Sequence, residues 1–412
     1  MTPDQPTGPD EPAWPFATAA YAFAVAMCGT TLPTPLYAFY QRELGFSSLM
    51  ITVIFAVYAV GVIAALLLMG QLSDVVGRRP VLLAGLVLSA ASAACFLFEH
   101  GLAELFAGRI LSGLSAGLFT GTATAAVVEL APRRLAGTAV LVATAANMGG
   151  LGSGPLLAGL LAQYAPDPLR LVYVVDLALV AVAIAGVLLI PETVGGRRRA
   201  SLVPRRLRVP RQVRPAFVPG AMAGFAGFAT LGLFTSVAPS FLGEVLGVHD
   251  PAVAGTVVCA VFAASTAGQL AMGRVGVHQA LPWGCVVLVA GMALIFAALL
   301  AASLPLLVTG ALVAGCGQGL SFRAAVTAVG DLAPAERRGE VTSALFVVLY
   351  VAISIPVVGV GAMATAFGLR SSGLVFSACV ALLATTTAVL LALRPLEGGR
   401  RDQVWAMSTK RE

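Results

Sequence analysis

The chain has 412 residues, 58% hydrophobic and only 11% charged, with a mean hydropathy of +0.93 and a formal net charge of +6. Soluble globular proteins carry about a quarter of charged residues, so this composition excludes one and places the chain in lipid. The positive charge lies in short segments beside apolar runs, where it signals membrane orientation and gives no support to a nucleic-acid partner.

Twelve apolar runs, at residues 15–40, 49–69, 80–98, 103–130, 136–163, 169–190, 216–242, 251–271, 281–301, 304–330, 340–366 and 371–393, each reach about the 20 residues that a spanning helix needs. None shows the alternating pattern of an outer-membrane strand. The expected fold is therefore all-α and integral to the membrane, with twelve transmembrane helices. Residues 1–14 are Pro-rich, with Asp4, Asp10 and Glu11 and no basic segment, and read as a cytoplasmic tail instead of a cleaved leader. With that end inside, 20 of the 25 Lys and Arg residues fall in inner loops and the carboxyl tail, against Arg42, Arg170 and Arg370 outside. The expected setting is the plasma membrane, with both termini cytoplasmic. The remaining two cations, Arg109 and Arg323, fall inside spans.

Along the chain, Trp14 and Pro15 suit an interfacial anchor. Pro33 and Pro35 predict either a kinked first helix bordering a cavity or a helix that ends near Pro35. The first span holds no carboxylate. A charged break follows at Gly70–Pro80, where Gly70 and Gly77 permit a sharp turn and Asp74, Arg78 and Arg79 supply charge. The fourth span carries Arg109, Gly113 and Gly117 on one stripe and ends at Glu129, Pro132, Arg133 and Arg134. The fifth has almost no side chains around Gly149, Gly150, Gly152, Gly154 and Gly159, and Pro155 removes one amide donor, so it can pack closely and bend. Asp176 is a carboxylate inside the sixth span. A structural hydrogen bond is its expected role, with a proton site as the alternative.

A basic linker at 194–215 holds Arg197, Arg198, Arg199, Arg205, Arg206, Arg208, Arg211 and Arg214 and separates two halves. The second half repeats the first: Gly113, Gly117, Glu129, Pro132 and Gly137 map onto Gly315, Gly319, Asp331, Pro334 and Gly339 by a shift of 202. Gly70-Gln71-Leu72 also reappears as Gly268-Gln269-Leu270, which puts Met272 where Asp74 would be and predicts an asymmetric gate. With Gly117 and Gly319 as span centres, Arg109 lies ~12 Å toward the outside, within reach of snorkelling, and Arg323 ~6 Å toward the cytoplasm.

The residues Gly70, Asp74, Gly77, Arg78 and Arg79 resemble the loop motif between the second and third helices of the major facilitator superfamily. Arg109 with its small residues resembles that family's fourth-helix motif, which faces the central cavity. Gly150, Gly154, Pro155, Ala158 and Gly159 resemble the fifth-helix signature of the drug/proton antiporter branch, with Ala158 the one departure. The resemblance implies two six-helix bundles, 15–193 and 216–394, flanked by tails at 1–14 and 395–412, with a substrate site between them. It also implies a gate in which the Asp74 and Arg78 positions latch the bundles. The gating set is then Gly70, Asp74, Gly77, Arg78, Arg79, Glu129 and Asp331, and the cavity set is Arg109, Gly113, Gly117, Gln318 and Arg323. Gly150, Gly154, Pro155 and Gly159 form a packing hinge expected to face the second half.

The function expected is secondary transport by alternating access, as proton-coupled efflux of small amphipathic molecules. Uptake or equilibrative passage of a small polar or anionic solute is the alternative, since the first span lacks a carboxylate, and a non-transporting receptor is a remote third. Enzymatic chemistry is not expected: His100, His249 and His278 read as loop residues, the six cysteines have no metal-binding or redox spacing, and no phosphate-cradling loop occurs. No cofactor or metal is called for beyond a proton gradient. The partners expected are a small-molecule substrate and the lipid bilayer, around a monomer.

Overall fold

A computed structural model describes residues 12–70, 72–195, 207–334 and 337–394, and every regular element among them is helical. Twelve helices are long and apolar enough to span a membrane: α1 (Trp14–Leu44), α2 (Ser48–Met69), α3 (Arg78–Leu97), α4 (Leu102–Glu129), α5 (Arg133–Tyr164), α6 (Pro168–Leu189), α7 (Arg214–Ser236), α8 (Pro251–Val275), α9 (Val277–Ala301), α10 (Leu304–Leu332), α11 (Arg338–Phe367) and α12 (Leu369–Leu393). Their bounds fall within a few residues of the apolar runs. His278 is a correction, because it lies in the first turn of α9 and not in a loop. The expectations for both tails, for Gln71 and for Arg197, Arg198, Arg199, Arg205 and Arg206 of the linker lie outside the described residues.

The spans alternate in direction, so α1 starts and α12 ends on one face, here the terminal face; the other is the far face. In α1 the prolines act at one level. The helix runs Trp14–Thr31, gives way to a 3-10 turn at Thr34–Leu36 and resumes over Tyr37–Leu44. Pro33 and Pro35 have no amide hydrogen for the carbonyls of Gly29 and Thr31, so the ladder stops there. The chain thus both ends a helix and continues across the membrane.

Lipid offers no hydrophobic drive for helices to associate, so the bundle rests on close approach at small residues. A Cβ on Gly113 would strike the Tyr58 carbonyl of α2, and one on Gly117 would lie 2.9 Å from the Val62 carbonyl. In the second half Gly315 meets the Val261 carbonyl and Gly319 the Ser265 carbonyl of α8. The same two contacts are therefore built twice, with α4 and α10 offset by 202 but α2 and α8 by 203 (261 − 58 and 265 − 62). This corrects the repeat at Gly268: it is level with Ala65, deep in α8, and Met272 is a buried helical residue, not the counterpart of Asp74. The first half turns between α2 and α3 through a five-residue helix, Leu72–Val76, whereas α8 and α9 are joined by Gly276 alone. The two connections are therefore unlike, but the difference lies in this segment and not in a replacement of Asp74 by Met272.

The fifth-helix glycines also need correction. Gly150 and Gly154 press on α1 of their own half, where a Cβ at Gly154 would lie 2.9 Å from the Leu32 amide and 2.5 Å from Thr31 Oγ1. Thr31 Oγ1 completes that seam by donating to the Leu151 carbonyl at 2.8 Å. Another side of α5 reaches the second half from its middle outward: Met148 meets Ser265, Gly152 lies against Cys259 and Phe262, Gly255 of α8 sits against the Pro155 carbonyl, and Gly159 against Pro251 and Ala252. Gly361 of α11 likewise meets Thr52 of α2. These contacts shut the far face, while the halves diverge toward the terminal face.

Gly154→Leu is expected to overpack the α1–α5 seam and cost about 1–3 kcal/mol, seen as a lower melting temperature in detergent. Gly255→Leu, a wedge between halves, is expected to spare each bundle but open the far face. In a cysteine-free background, a membrane-impermeant thiol reagent added on that side should then label Thr31→Cys. Equal labelling with and without the wedge would contradict the closure described.

Candidate functional site

Between the halves lies a cavity of about 370 Å³, within the usual range for small-molecule sites, whose walls continue to the terminal face through Thr124, Val140, Thr144 and Thr327. Tyr58 and Tyr350 meet edge-on across the two halves, with ring centroids 6.3 Å apart. Phe228 packs on Tyr350 at 6.4 Å and on Phe322 at 5.2 Å, and Phe322 on Phe346 at 6.2 Å. The walls are thus aromatic, with threonines, Asn147 and Gln269 between the rings. Among the lining residues the only fixed charges are Arg109 and Arg323, and none is a carboxylate.

Arg109 does not snorkel as the sequence suggested, being only 2% exposed. Its guanidinium carbon stacks 4.8 Å from the Tyr58 ring centroid and 5.3 Å from that of Phe55, and NH1 donates to the Thr30 carbonyl at 2.7 Å. That carbonyl sits at the break in α1, beside the prolines. The arrangement offsets part of the cost of a buried cation through cation–π attraction and one charged hydrogen bond. The Nε of Arg109 has no partner.

Arg323 lines the cavity as expected, and its NH1 donates to the Gln269 carbonyl at 3.3 Å. It does not turn toward Asp331, which is exposed at the end of α10 and makes no ion pair among the described residues. Gln318 is a correction, because it is buried behind the wall, where it accepts from Ser265 Oγ at 2.6 Å. Gln269 lines the cavity instead. Gly113 and Gly117 are also displaced from the expected wall, serving as the seat of α2 on α4. From Arg109 to Arg323 the path descends ~18 Å along the span axis at 1.5 Å per residue.

The charged break forms a second site, on the terminal face. Arg78 pairs with Asp74 at 2.5 Å and with Glu129 at 3.0 Å, and donates to Ser73 Oγ at 2.7 Å. Glu192, just past the end of α6, caps α3: its carboxylate accepts from the Arg78 and Arg79 amides at 2.8 and 3.1 Å. A carboxylate there satisfies free amides and complements the helix dipole. Gly77 is required twice over, by its φ of 115° and because a Cβ would run into the Glu192 carboxylate. Thr193 Oγ1 donates to Glu129 Oε2 at 2.5 Å, and Arg79 donates to the Leu188 carbonyl. All of these contacts tie α3, α4 and the end of α6 within one half.

Asp176 is separate from both sites. It is 2% exposed inside the first bundle, and its Oδ1 has no partner, so the expected structural hydrogen bond is not made by that oxygen.

Two six-helix halves, closed at one face and enclosing a polar-aromatic cavity that opens at the other, define a multi-pass membrane protein of the transporter class. A family model described as Major Facilitator Superfamily matches residues 19–356, and the chain belongs to that family of transporters. Curated relatives are distant. An uncharacterised MFS-type transporter of Methanocaldococcus jannaschii is 27% identical over 137 residues, 33% of this chain and 36% of that protein. MdtD of Escherichia coli strain K12, named as a candidate multidrug resistance protein, is 26% identical over 194 residues, 47% of this chain and 41% of that one. The matches thus span about two-fifths of those relatives' lengths. Among solved structures, a bacterial homologue of the human lysosomal transporter Spinster, in an inward-facing and unoccupied conformation, aligns with a TM-score of 0.71 at 16% identity over 93% of this chain and 98% of that one. A POT family transporter in complex with 5-aminolevulinic acid gives 0.73 at 13% identity, over 91% and 94%. At these identities the likeness is one of fold.

Glu192→Ala is expected to cost about 1 kcal/mol, the usual worth of a helix cap, read as a lower melting temperature. Glu129→Ala should cost less, since exposed ion pairs contribute at most about 1 kcal/mol. The reverse ranking would show that the Arg78 pairs, not the cap, hold this connection.

Proposed function

We propose that the chain is a secondary transporter that works by alternating access and exports small amphipathic molecules bearing an anionic or strongly polar head, driven by protons. The observation that carries this reading is the cavity itself: aromatic walls, two arginines at different depths and no carboxylate among its lining residues. An aromatic wall suits the apolar body of such a molecule. The half-buried guanidinium of Arg323 on that wall suits its head. The name of the Escherichia coli relative favours export. The distribution of Lys and Arg favours a plasma-membrane setting with the terminal face in the cytoplasm. In that orientation the structure is the inward-open state, the one that loads an export substrate. On the same reading Asp74 and Arg78 form the latch that engages the second half when the cavity opens outward, having been paired within their own half here.

Equilibrative passage is the second reading, favoured by the lack of a carboxylate in the cavity. Sealed vesicles with an imposed pH gradient separate the two, using taurocholate as anionic, ethidium as cationic and progesterone as neutral amphipath. Export of the proposed kind predicts gradient-dependent transport of taurocholate alone among the three, whereas equilibrative passage is indifferent to the gradient. Arg323→Gln should weaken taurocholate binding by about 10–100-fold, the worth of a hydrogen bond to a charged group, and leave any progesterone binding unchanged. Equal loss for both ligands, or a misfolded protein with unchanged affinity in the survivors, would make Arg323 structural. Asp74→Asn is expected to abolish transport while insertion and ligand binding persist; normal transport at wild-type expression rejects the latch.

A further inference from the structure

Asp176 lies in α6, eight residues beyond Pro168, about 12 Å below the far end of that helix at 1.5 Å per residue. The helices around it leave its carboxyl strangely served. On α1 the facing residue is Gly29, where a Cβ would lie 3.2 Å from Asp176 Oδ2 and 3.4 Å from Oδ1. On α3 it is Ser89, whose Oγ lies 3.2 Å from the same point. The titratable groups that face it are Cys28 on α1 and Tyr173 one turn away on α6; α5 brings Ser153 beside Cys28, and α3 only the neutral Ser89. No arginine, lysine or histidine is among them. Oδ1 has no hydrogen-bond partner at all.

An ionised carboxylate in such a place lacks a counter-charge, and its Oδ1 lacks a donor, which in a membrane interior costs several kcal/mol. The neutral acid, by contrast, is tolerated. A side chain that served only to tie helices together would use both oxygens, and it would not need a glycine opposite to make room. The surroundings of Asp176 therefore suit a group that carries a proton in this state and surrenders it in another.

The same surroundings show how that could happen. Gly29 adjoins Thr30, whose carbonyl holds Arg109 at the cavity wall, and the break of α1 begins two residues further on, after Thr31. Asp176 is not itself a lining residue, so it lies behind α1 while the substrate space lies in front. The outer piece of α1, Tyr37–Leu44, is tied to α6 by the Tyr40 hydroxyl, which donates to that of Tyr173 at 3.0 Å, one turn from Asp176. A swing of this piece about the 3-10 turn, once the far-face contacts at Gly159, Gly255 and Gly361 part and that bond breaks, would uncover the carboxyl from the far side.

We propose that Asp176 is the proton-binding group of the transport cycle, placed outside the substrate cavity and opened to the far side by the break in α1. This deepens the proton-driven reading given above and rests on it. Two measurements on the full-length protein in lipid test it, one of which requires no substrate. An acid-minus-base infrared difference spectrum of the wild type should contain the carbonyl band of a protonated carboxylic acid that is missing from Asp176→Asn and displaced in Asp176→Glu. In vesicles, Asp176→Asn should reduce pH-driven accumulation of taurocholate about tenfold or more while exchange of labelled for unlabelled taurocholate stays within about twofold of wild type, and Asp176→Glu should recover part of the driven transport.

Should Asp176→Asn fail to fold, aspartate-specific isotope labelling of the wild type assigns the band instead. A wild-type spectrum without such a band, or wild-type accumulation by Asp176→Asn, overturns the proposal. Exchange reports on transport and the infrared band on the proton site. Taurocholate exchange without the band would sink the proton site alone, and the band without taurocholate exchange would sink the substrate reading alone.

Discussion

Backbone-to-backbone contact at glycine is the constraint on which this molecule depends. Apolar side chains gain nothing by leaving lipid for one another, so helices adhere where their main chains can come close enough for dense van der Waals contact. Gly113 and Gly117 fix α2 on α4, Gly315 and Gly319 fix α8 on α10, and Gly150 and Gly154 fix α5 on α1. Serines and threonines within the spans mostly return their hydroxyls to a carbonyl one turn back, as Thr230, Ser321 and Ser377 do, and so add no unmet polarity. What remains between the seated helices, where Tyr58, Tyr350 and Phe228 keep the halves apart, is the cavity. Its position follows from where the glycines are not.

Charge is then placed against this frame in three separate ways. At the terminal face Arg78 answers two carboxylates in water, where such pairs contribute little but orient a turn. In the cavity, Arg109 is held by two aromatic rings and a carbonyl that the break in α1 leaves available. Behind α1, Asp176 has nothing comparable. A cation given partners beside the cavity and an acid denied them a helix away are different solutions to one problem, the expense of ionising anything in lipid.

The fold was readable because the membrane imposes length and hydropathy on each span, and the twelve runs carry that signal without ambiguity. Arg109, Arg323 and the Asp74–Arg78 cluster stood out for the same reason: charge is rare enough in such a chain to be noticed. What could not be read is which neighbour a small residue touches. Gly150 and Gly154 look alike whether they face α1 or α8, because a glycine stripe states that something approaches and not what. Gln318 and Gln269 are both polar residues in spans, and only the rotation of α8 against α10 puts one behind the wall and the other on it. Glu192 was hidden by position, since a lone carboxylate after a span gives no sign that it folds back onto the start of another helix more than a hundred residues earlier. The aromatic lining had little signature, being assembled from seven residues on five helices, no more than two of them on any one.

The unequal connections between α2 and α3 and between α8 and α9 bear on how the two halves diverged. Gly77 and Gly276 occupy the same place before their helices yet differ by 199 residues, against 203 for the helices that precede them (276 − 77 and 261 − 58). If both halves descend from one six-helix ancestor, four residues were gained or lost at this point and three more in the next hairpin, where the offset passes from 199 at Phe96 and Ile295 to 202 at Gly108 and Gly310, while the glycine contacts within the spans were kept. Innovation in such a duplicated chain is then confined to its hairpins, which can change length freely, and the spans serve as a template that neither copy can afford to edit.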